Sequence, residues 1–208
     1  HGQSGLSGWN ISSVVQKIIL RAYTSTLIVR AYQSAHKDLA QIGYKQILVP
    51  LDGSQRAENV LPATMILARS HDSQLLLAHL VSKPEMMSRT SLTPEEAKWV
   101  NQITARNQEE ASRYLQEIQS RIEPGPDTRL HISEGNSAEL HDLVAAEDID
   151  LVILSAHGHS GNSKWPYGSV TLSFIAYGTT PLLIIQDLSP EEVQKTVAEI
   201  AAMEEKGH

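Results

Sequence analysis

The sequence HGHSGNSKWPYGSV, residues 157–170, connects a short apolar run to a helical pattern. The preceding residues, 151–156, are almost entirely aliphatic, which predicts a strand that is buried on both faces. The following segment, Ser169–Tyr177, has the length and composition of a short helix. This stretch therefore predicts a strand–loop–helix unit of an α/β fold.

The same pattern occurs twice in the chain. HGQSGLSGWNISSV begins at His1 and aligns without a gap with the stretch that begins at His157, an offset of 156 residues. The match extends beyond the loop, because Ile19 aligns with Ile175 and Leu27 aligns with Leu183. Common solenoid repeats are only ~20–50 residues long, so this spacing predicts tandem domains. We expect the chain to contain the end of a first domain and a complete second one.

Apolar runs alternate with helical patterns between residues 44 and 187. The predicted strands are Gln46–Pro50, Gln74–Val81, 128–133, 151–156 and 181–186. The predicted helices are a segment after Asp52 that contains Pro62, a long helix that begins with the capping box of Thr93 and Glu96, and residues 137–147 and 169–177. This alternation predicts right-handed crossovers and a parallel sheet with helices on both faces.

Residues 1–43 contain only a loop, a helix over 12–23, a strand over 25–30 and a linker. Such a fragment is too small to bury a core alone. We expect residues 26–30 to pair antiparallel with residues 182–186, because this pairing covers two open sheet edges. The predicted organisation is therefore a domain tail over 1–43, a complete domain over 44–187 and a surface helix within 188–208.

The composition excludes several classes of function. The chain has 41% apolar residues, 20% charged residues and a formal net charge of −7. This acidic balance argues against binding to nucleic acid or to an anionic membrane surface. The absence of cysteine excludes disulfides and cysteine-based metal or redox sites. No apolar run is long enough to span a bilayer, so we expect a cytoplasmic protein.

Four segments resemble the universal stress protein family. They are ILVPLDGS at residues 47–54, AHLV at 78–81, EGNSAELHDLVAAEDIDLVILSAHG at 134–158, and the loop pattern Ser155-x2-Gly158-x9-Gly168-Ser169. In nucleotide-binding members the loop has the pattern Gly-x2-Gly-x9-Gly-Ser/Thr, so Ser155 replaces the first glycine. The resemblance covers residues 44–187. It implies an open five-stranded parallel sheet in the order 3-2-1-4-5, which is Rossmann-like and of the adenine nucleotide alpha-hydrolase-like type.

The loop has the physical features of an anion site. Gly158 permits positive φ and a close approach of the backbone to a ligand. Gly168 and Ser169 begin the last helix, whose free N–H groups and positive dipole end favour phosphate. By the resemblance, the strand order reverses between strands one and four, where open α/β sheets bind ligands. Asp52 follows strand one and is expected to face the same crevice.

The resemblance also implies the nucleotide-binding residues. Pro50, Leu51 and Asp52 would form the adenine and ribose side, with Asp52 near the ribose or a phosphate-bound Mg²⁺, and Val81 would contact the base. Along the ribose and phosphate path the resemblance places Leu154, Ser155, His157, Gly158, Gly168, Ser169 and Val170. Two departures bear on the site: the Ser155 side chain would narrow the pocket, and Pro166 removes a backbone donor from the loop.

The favoured hypothesis is a regulatory stress-response module that binds ATP or a related adenine nucleotide, with or without Mg²⁺, and associates through fifth strands. One alternative is an interaction module with a degenerate loop, in which Trp9 and Trp165 pack between repeats. A second is a slow ATPase, although the sequence offers no Walker lysine, no arginine finger and no base beyond Asp52. A metal site would draw on His79, His131, His141, His157 and His159, but core packing and hydrogen bonding to backbone explain these histidines more simply.

Overall fold

The computed structural model describes residues 13–19, 21–29, 43–82, 93–159 and 167–194. Its elements in chain order are α1 (Ser13–Ile19), β1 (Thr26–Ile28), β2 (Gln46–Pro50), α2 (Gln55–Glu58), α3 (Leu61–His71), β3 (Gln74–Val81), α4 (Pro94–Ile122), β4 (Thr128–Glu134), α5 (Ser137–Ala146), β5 (Leu151–Ser155), α6 (Ser169–Tyr177) and β6 (Leu182–Ile185). Every strand predicted between residues 44 and 187 is present, and each end lies within one residue of its predicted position. Among the described residues, no helix has the length and apolar character needed to cross a membrane.

The six strands form one sheet in the order β1-β6-β5-β2-β3-β4. Strands β2 to β6 are mutually parallel and lie in the order β4-β3-β2-β5-β6. Strand β1 is antiparallel to β6, with Thr26 opposite Ile184 and Ile28 opposite Leu182. The predicted α/β class is confirmed. The sheet differs from a five-stranded, all-parallel one because β1 adds a sixth strand of opposite direction.

Helices cover both faces of the sheet, and strand residues alternate between the two faces. The cluster on the α5 and α6 face includes Leu48, Leu76, Leu154, Leu140 and Phe174. The cluster on the α3 and α4 face includes Ile47, Leu75, Ile153, Leu115 and Ile118. Central strands β2 and β5 are buried on both sides, which explains their continuous aliphatic sequences.

Local sequence signals determine where two helices begin. Helix α4 has the predicted capping box: the Thr93 backbone N–H donates to Glu96 Oε2 at 2.8 Å, and the Glu96 N–H donates to Thr93 Oγ1 at 3.3 Å. The segment after Asp52 was expected to be one helix, but it forms two, α2 and α3. Pro62 lies in the first turn of α3, where its missing N–H has no intrahelical acceptor to lose.

The tail before residue 44 shares the core of the complete unit. Ile19 and Ile28 are buried in the same cluster as Phe174 and Ile184. The predicted antiparallel pairing of the two edge strands is confirmed for Thr26–Ile28. Parts of three predictions lie outside the described residues: the contacts of Trp9 and Trp165, the linker over 31–42, and the C-terminal helix beyond residue 194.

Tyr167 connects the complete unit to the tail. Its buried hydroxyl donates to the Ile19 carbonyl at 3.0 Å, with the Ala22 carbonyl at 2.9 Å as a second acceptor. Ile19 is the last residue of α1, and Ala22 lies in the connection between α1 and β1. This hydrogen bond therefore helps to hold the tail against the sheet.

We expect Tyr167→Phe to lower the free energy of unfolding by about 0.5–1.5 kcal/mol, because it removes the hydrogen bonds from the Tyr167 hydroxyl to the Ile19 and Ala22 carbonyls. Tyr23→Phe is the matched control, since the Tyr23 hydroxyl is buried without a hydrogen-bond partner in the described part of the chain. Urea unfolding and hydrogen exchange at residues 26–28 measure the two effects. Equal stability of the two variants would contradict the role given to Tyr167.

Candidate functional site

A cleft of about 150 Å³ lies at the carboxyl ends of β2, β3 and β5, beside the N-terminus of α6. Its lining residues are Pro50, Leu51, Asp52, Ala57, Ala78, Leu80, Leu140, Leu154, Ser155, His157, Gly158, Gly168, Ser169, Val170 and Thr171. Strand β2 has β3 on one side and β5 on the other, so the cleft lies where the order of strands reverses. The structure brings ten of the eleven residues expected from the sequence to this one place.

Val81 is the residue that does not line the cleft. It is buried, and strand alternation places it on the face opposite to Ala78 and Leu80. Ala78 and Leu80 belong to the cluster on the α5 and α6 face. The sequence of Gln74–Val81 predicted a strand but did not show which of its faces borders the cleft. Other lining residues that the sequence analysis missed are Ala57, Leu140 and Thr171.

Asp52 joins the loops that follow β2 and β5. Its Oδ1 accepts hydrogen bonds from the Ser54 backbone N–H at 3.0 Å and from the Ser54 hydroxyl at 2.6 Å. Its Oδ2 accepts from the backbone N–H of His159 at 2.6 Å. The exposed carboxylate of Asp52 therefore fixes the separation of two walls of the cleft.

Glycine is needed at position 158 for space and not for backbone conformation. Positive φ occurs at Gly53, 84°, and Gly135, 142°, but not at Gly158, so the expected positive φ at Gly158 is wrong. A Cβ atom at Gly158 would overlap Oδ2 of Asp52. Gly168 has φ −74° and ψ 169°, a conformation open to any residue. A Cβ at Gly168 would meet only ordinary contacts, the nearest with the Ala156 carbonyl at 3.6 Å.

The N-terminus of α6 lies open beside the cleft. Gly168 is the N-cap residue and supplies no side-chain acceptor, so the first N–H groups of this nine-residue helix have no side-chain cap. The Gly168 N–H donates to the Ala156 carbonyl at 2.7 Å, and Thr171 Oγ1 donates to the Ser155 carbonyl at 2.8 Å. These two bonds attach the helix start to the end of β5. The site thus has fixed backbone donors and the positive end of a helix dipole.

Ser155 has a buried hydroxyl with no hydrogen-bond partner in the part of the chain that the structure describes. The residue is only 6% exposed and lines the cleft. A buried hydroxyl without a partner is unfavourable, and in folded proteins such groups are usually satisfied by protein, water or ligand. Ser155 therefore adds polar hydrogen-bonding capacity to this site.

A buried carboxylate lies behind the cleft. The Asp187 side chain is fully buried, and its Oδ1 accepts from the His157 backbone N–H at 3.0 Å and contacts His157 Nδ1 at 2.9 Å. Its Oδ2 pairs with Arg56 Nη1 at 2.7 Å. Burial alone would raise the pKa of the Asp187 carboxyl, but hydrogen bonds from His157 and Arg56 outweigh burial and lower this pKa below its ordinary value.

The histidines have packing roles in the described structure. The His79 ring meets Tyr114 edge-on at 6.0 Å, and the His141 ring lies 4.3 Å from Phe174 and bonds Ser173 through Nε2 at 3.0 Å. Burial lowers the pKa of both His79 and His141. Over the described ranges, no group of three or more His, Asp or Glu side chains is arranged to hold a metal ion.

Asp187→Asn should change the acid dependence of stability. Because the pKa of Asp187 is lower in the folded chain than the ordinary value of about 3.9, its ionisation stabilises the fold above about pH 4, and this contribution is lost as the pH falls through the folded value. Urea unfolding between about pH 2.5 and pH 7 should therefore show a shallower acid decline in the variant. An identical slope in both proteins would contradict an ionised, paired Asp187.

Comparison with known proteins places this geometry in a family. The sequence profile of the Universal stress protein family matches residues 43–186. The universal stress protein Sll1388 of Synechocystis is 29% identical over 153 residues, which cover 70% of this chain and 99% of that protein. The universal stress protein MJ0577 of Methanocaldococcus jannaschii is 24% identical over 154 residues, covering 69% and 95% respectively.

Solved structures share the fold. UspA from Lactobacillus plantarum superposes with a TM-score of 0.61 at 21% identity, covering 69% of this chain and 98% of that one. PA1789 from Pseudomonas aeruginosa superposes with a TM-score of 0.64 at 14% identity, covering 98% of this chain but 65% of that one. The profile match extends over more than half of the sequence and includes the whole cleft. The chain belongs to the universal stress protein family.

Proposed function

We propose that the cleft binds ATP or a related adenine nucleotide, and that the protein acts as a regulatory module of the stress response. The observation that carries the proposal is the open N-terminus of α6 beside the unpaired hydroxyl of Ser155. Backbone N–H groups at a helix start favour phosphate, and an unpaired buried hydroxyl favours a polar ligand. Both features lie in the cleft at the reversal of strand order.

The lining suggests how a nucleotide would lie. Its phosphates would contact the backbone N–H groups of Ser169 and Val170 at the start of α6, beside Gly168, whose own N–H donates to the Ala156 carbonyl. Its base and ribose would lie toward the wall formed by Pro50, Leu51 and Asp52. Apolar lining from Ala78, Leu80, Leu140 and Leu154 suits a flat base, and Leu80 replaces Val81 in this role. His157 and Gly158 would border the ribose and phosphate path.

The dimensions and charge of the cleft add two constraints. A volume of about 150 Å³ is below the roughly 300–1,000 Å³ of sites that enclose a whole drug-sized ligand, so the cleft would enclose only part of a nucleotide. Asp52 places a carboxylate beside the phosphate path, which fits a nucleotide that arrives with Mg²⁺. The bound cation would then neutralise phosphate charge next to Asp52.

Binding without efficient turnover fits the lining best. Among the described lining residues there is no lysine or arginine to stabilise charge on a transferring phosphoryl group. We therefore propose a nucleotide-binding protein and not an ATPase. A cytoplasmic location, expected from the composition, remains a prediction.

Gly168→Val should lower ATP affinity at least tenfold, or about 1.4 kcal/mol, because the larger side chain crowds the phosphate path at the helix start. The fold should survive, since Gly168 has a backbone conformation that valine also adopts. Leu172→Val is the control, as Leu172 lies on the same helix outside the cleft lining. Titration calorimetry with ATP, with and without Mg²⁺, measures the affinities.

Two outcomes would count against this proposal. If Gly168→Val binds ATP with the wild-type affinity, the phosphates do not bind at the N-terminus of α6. A wild-type chain that binds no adenine nucleotide, and releases none when denatured and examined by mass spectrometry, would favour the alternative of an interaction module with a degenerate loop.

We also propose a tandem organisation, in which residues 1–43 are the C-terminal end of a first domain. The internal repeat supports it, because residues exposed in the tail align with buried residues in the complete unit. Ile18 is 64% exposed and aligns with Phe174, which is 2% exposed, while Val15 is 43% exposed and aligns with Thr171, which is 3% exposed. Positions of α1 that are exposed in this chain therefore correspond to positions of α6 that are buried. The near-complete alignment of this chain with 65% of the longer PA1789 chain also fits this organisation.

Ile18→Glu tests the tandem proposal. In this chain the substitution should change the free energy of unfolding by less than about 0.5 kcal/mol, because the side chain is exposed. In a protein extended by the preceding domain it should cost more than about 2 kcal/mol, because it would bury an unpaired charge. Leu172→Glu, at an exposed position of α6, should be mild in both proteins. Equally mild effects of Ile18→Glu in the two proteins would contradict a domain covering α1.

A further inference from the structure

The turn of residues 157–159 is held from two sides by carboxylates. Asp187 binds His157 through both the backbone N–H and the ring, at 3.0 and 2.9 Å. Asp52 binds the backbone N–H of His159 at 2.6 Å. Gly158 lies between them and passes so close to Asp52 that a Cβ would not fit. The loop pattern found in the sequence contains neither Asp187 nor its partner Arg56.

The bonds on either side of this turn leave it little freedom. The Ala156 N–H donates to the Ile185 carbonyl at 2.8 Å, and the Ala156 carbonyl accepts from Gly168 at 2.7 Å. Residue 156 is thereby attached to both β6 and the start of α6. Residues 157 and 159 donate hydrogen bonds to the two aspartates. Of these, Asp52 is exposed, while the Asp187 side chain is fully buried.

The environment of Asp187 fits a fixed anion. Its two oxygens meet three donor groups: two from His157 and one from the guanidinium of Arg56 at 2.7 Å. A buried carboxylate is tolerated only when charge and hydrogen bonds compensate its lost hydration, and this set does so. With Asp187 ionised, the His157 Nδ1 must carry a proton to donate, and this bond determines the orientation of the ring.

We propose that Asp187, with Arg56 as its charge partner, is a positioning residue that fixes the His157–Gly158 wall of the nucleotide cleft. This inference rests on the proposed function. Asp187 then has a role beyond stability, because the His157–Gly158 wall that it fixes contributes backbone to the cleft. Without Asp187 the turn would remain attached at residue 156 and at His159, but His157 would lose its two hydrogen bonds to the segment that follows β6.

The experiment compares Asp187→Ala, Asp187→Asn and Glu192→Gln in the full chain. Asp187→Ala removes both acceptors, whereas Asp187→Asn keeps an oxygen for His157 and loses the charge and the acceptor for Arg56. Glu192→Gln is the matched control, since Glu192 also pairs with Arg56 at 2.7 Å but is not among the described residues that line the cleft. The readouts are calorimetric affinity for ATP with Mg²⁺ and the ¹⁵N chemical shifts of the His157 ring and the 157–159 amides.

Asp187→Ala should lower ATP affinity at least tenfold and shift the ¹⁵N signals of the His157 ring, because Nδ1 loses its acceptor. Asp187→Asn should change these ring signals less and recover part of the affinity, while Glu192→Gln should match wild type within about twofold. A purely structural role would lower stability in the Asp187 variants and leave affinity unchanged, which would overturn the proposal.

The ¹⁵N chemical shifts test the role of Asp187 independently of whether the chain binds a nucleotide. If wild type binds no ATP, the function fails, and the proposal then stands or falls on the ring and amide signals alone. Unchanged signals of His157, Gly158 and His159 in folded Asp187→Ala would overturn it. Shifts confined to these residues, and absent from Glu192→Gln, would support it.

Discussion

The parallel pairing of β2 with β5 is the constraint on which the site depends. Ile47 lies opposite Leu151 and Leu48 opposite Val152, so the two strands run side by side through the centre of the sheet. Both are buried on both faces and need helices above and below. The chain leaving β2 therefore continues to α2 and α3 on one face, while the chain leaving β5 continues to α6 on the other. Their divergence opens the cleft, and Asp52 limits how far the two loops separate.

The sequence was sufficient to predict the features that depend only on neighbouring residues. Aliphatic runs such as 151–156 predicted buried strands because a strand covered on both faces needs no polar positions, and Thr93 with Glu96 predicted a helix start because capping involves only neighbouring residues. Most of the residues that line the cleft could be predicted, because the loops that follow adjacent parallel strands meet at one edge of the sheet. Leu80 was missed because residue spacing alone does not show which face of β3 borders the cleft. Arg56 and Asp187 were missed because they are 131 residues apart and only the folded sheet brings them together.

The tail and the complete unit form one structural body. Ile28 lies in the same core cluster as Ile184, and Tyr167 bonds backbone at the end of α1. The segment before β1 thus contributes to the face of the sheet that α6 covers. Since Tyr167 precedes Gly168 directly, the same short segment attaches the tail and begins the helix that borders the cleft.

The antiparallel contact between β1 and β6 gives the two repeats opposite polarity. In a parallel α/β sheet, ligands bind at the edge formed by the carboxyl ends of the strands. Strands that continue parallel to β1 would present their carboxyl ends at the edge of the sheet opposite to the cleft described here. In the proposed tandem organisation, the sites of the two repeats would therefore open toward opposite edges of the sheet.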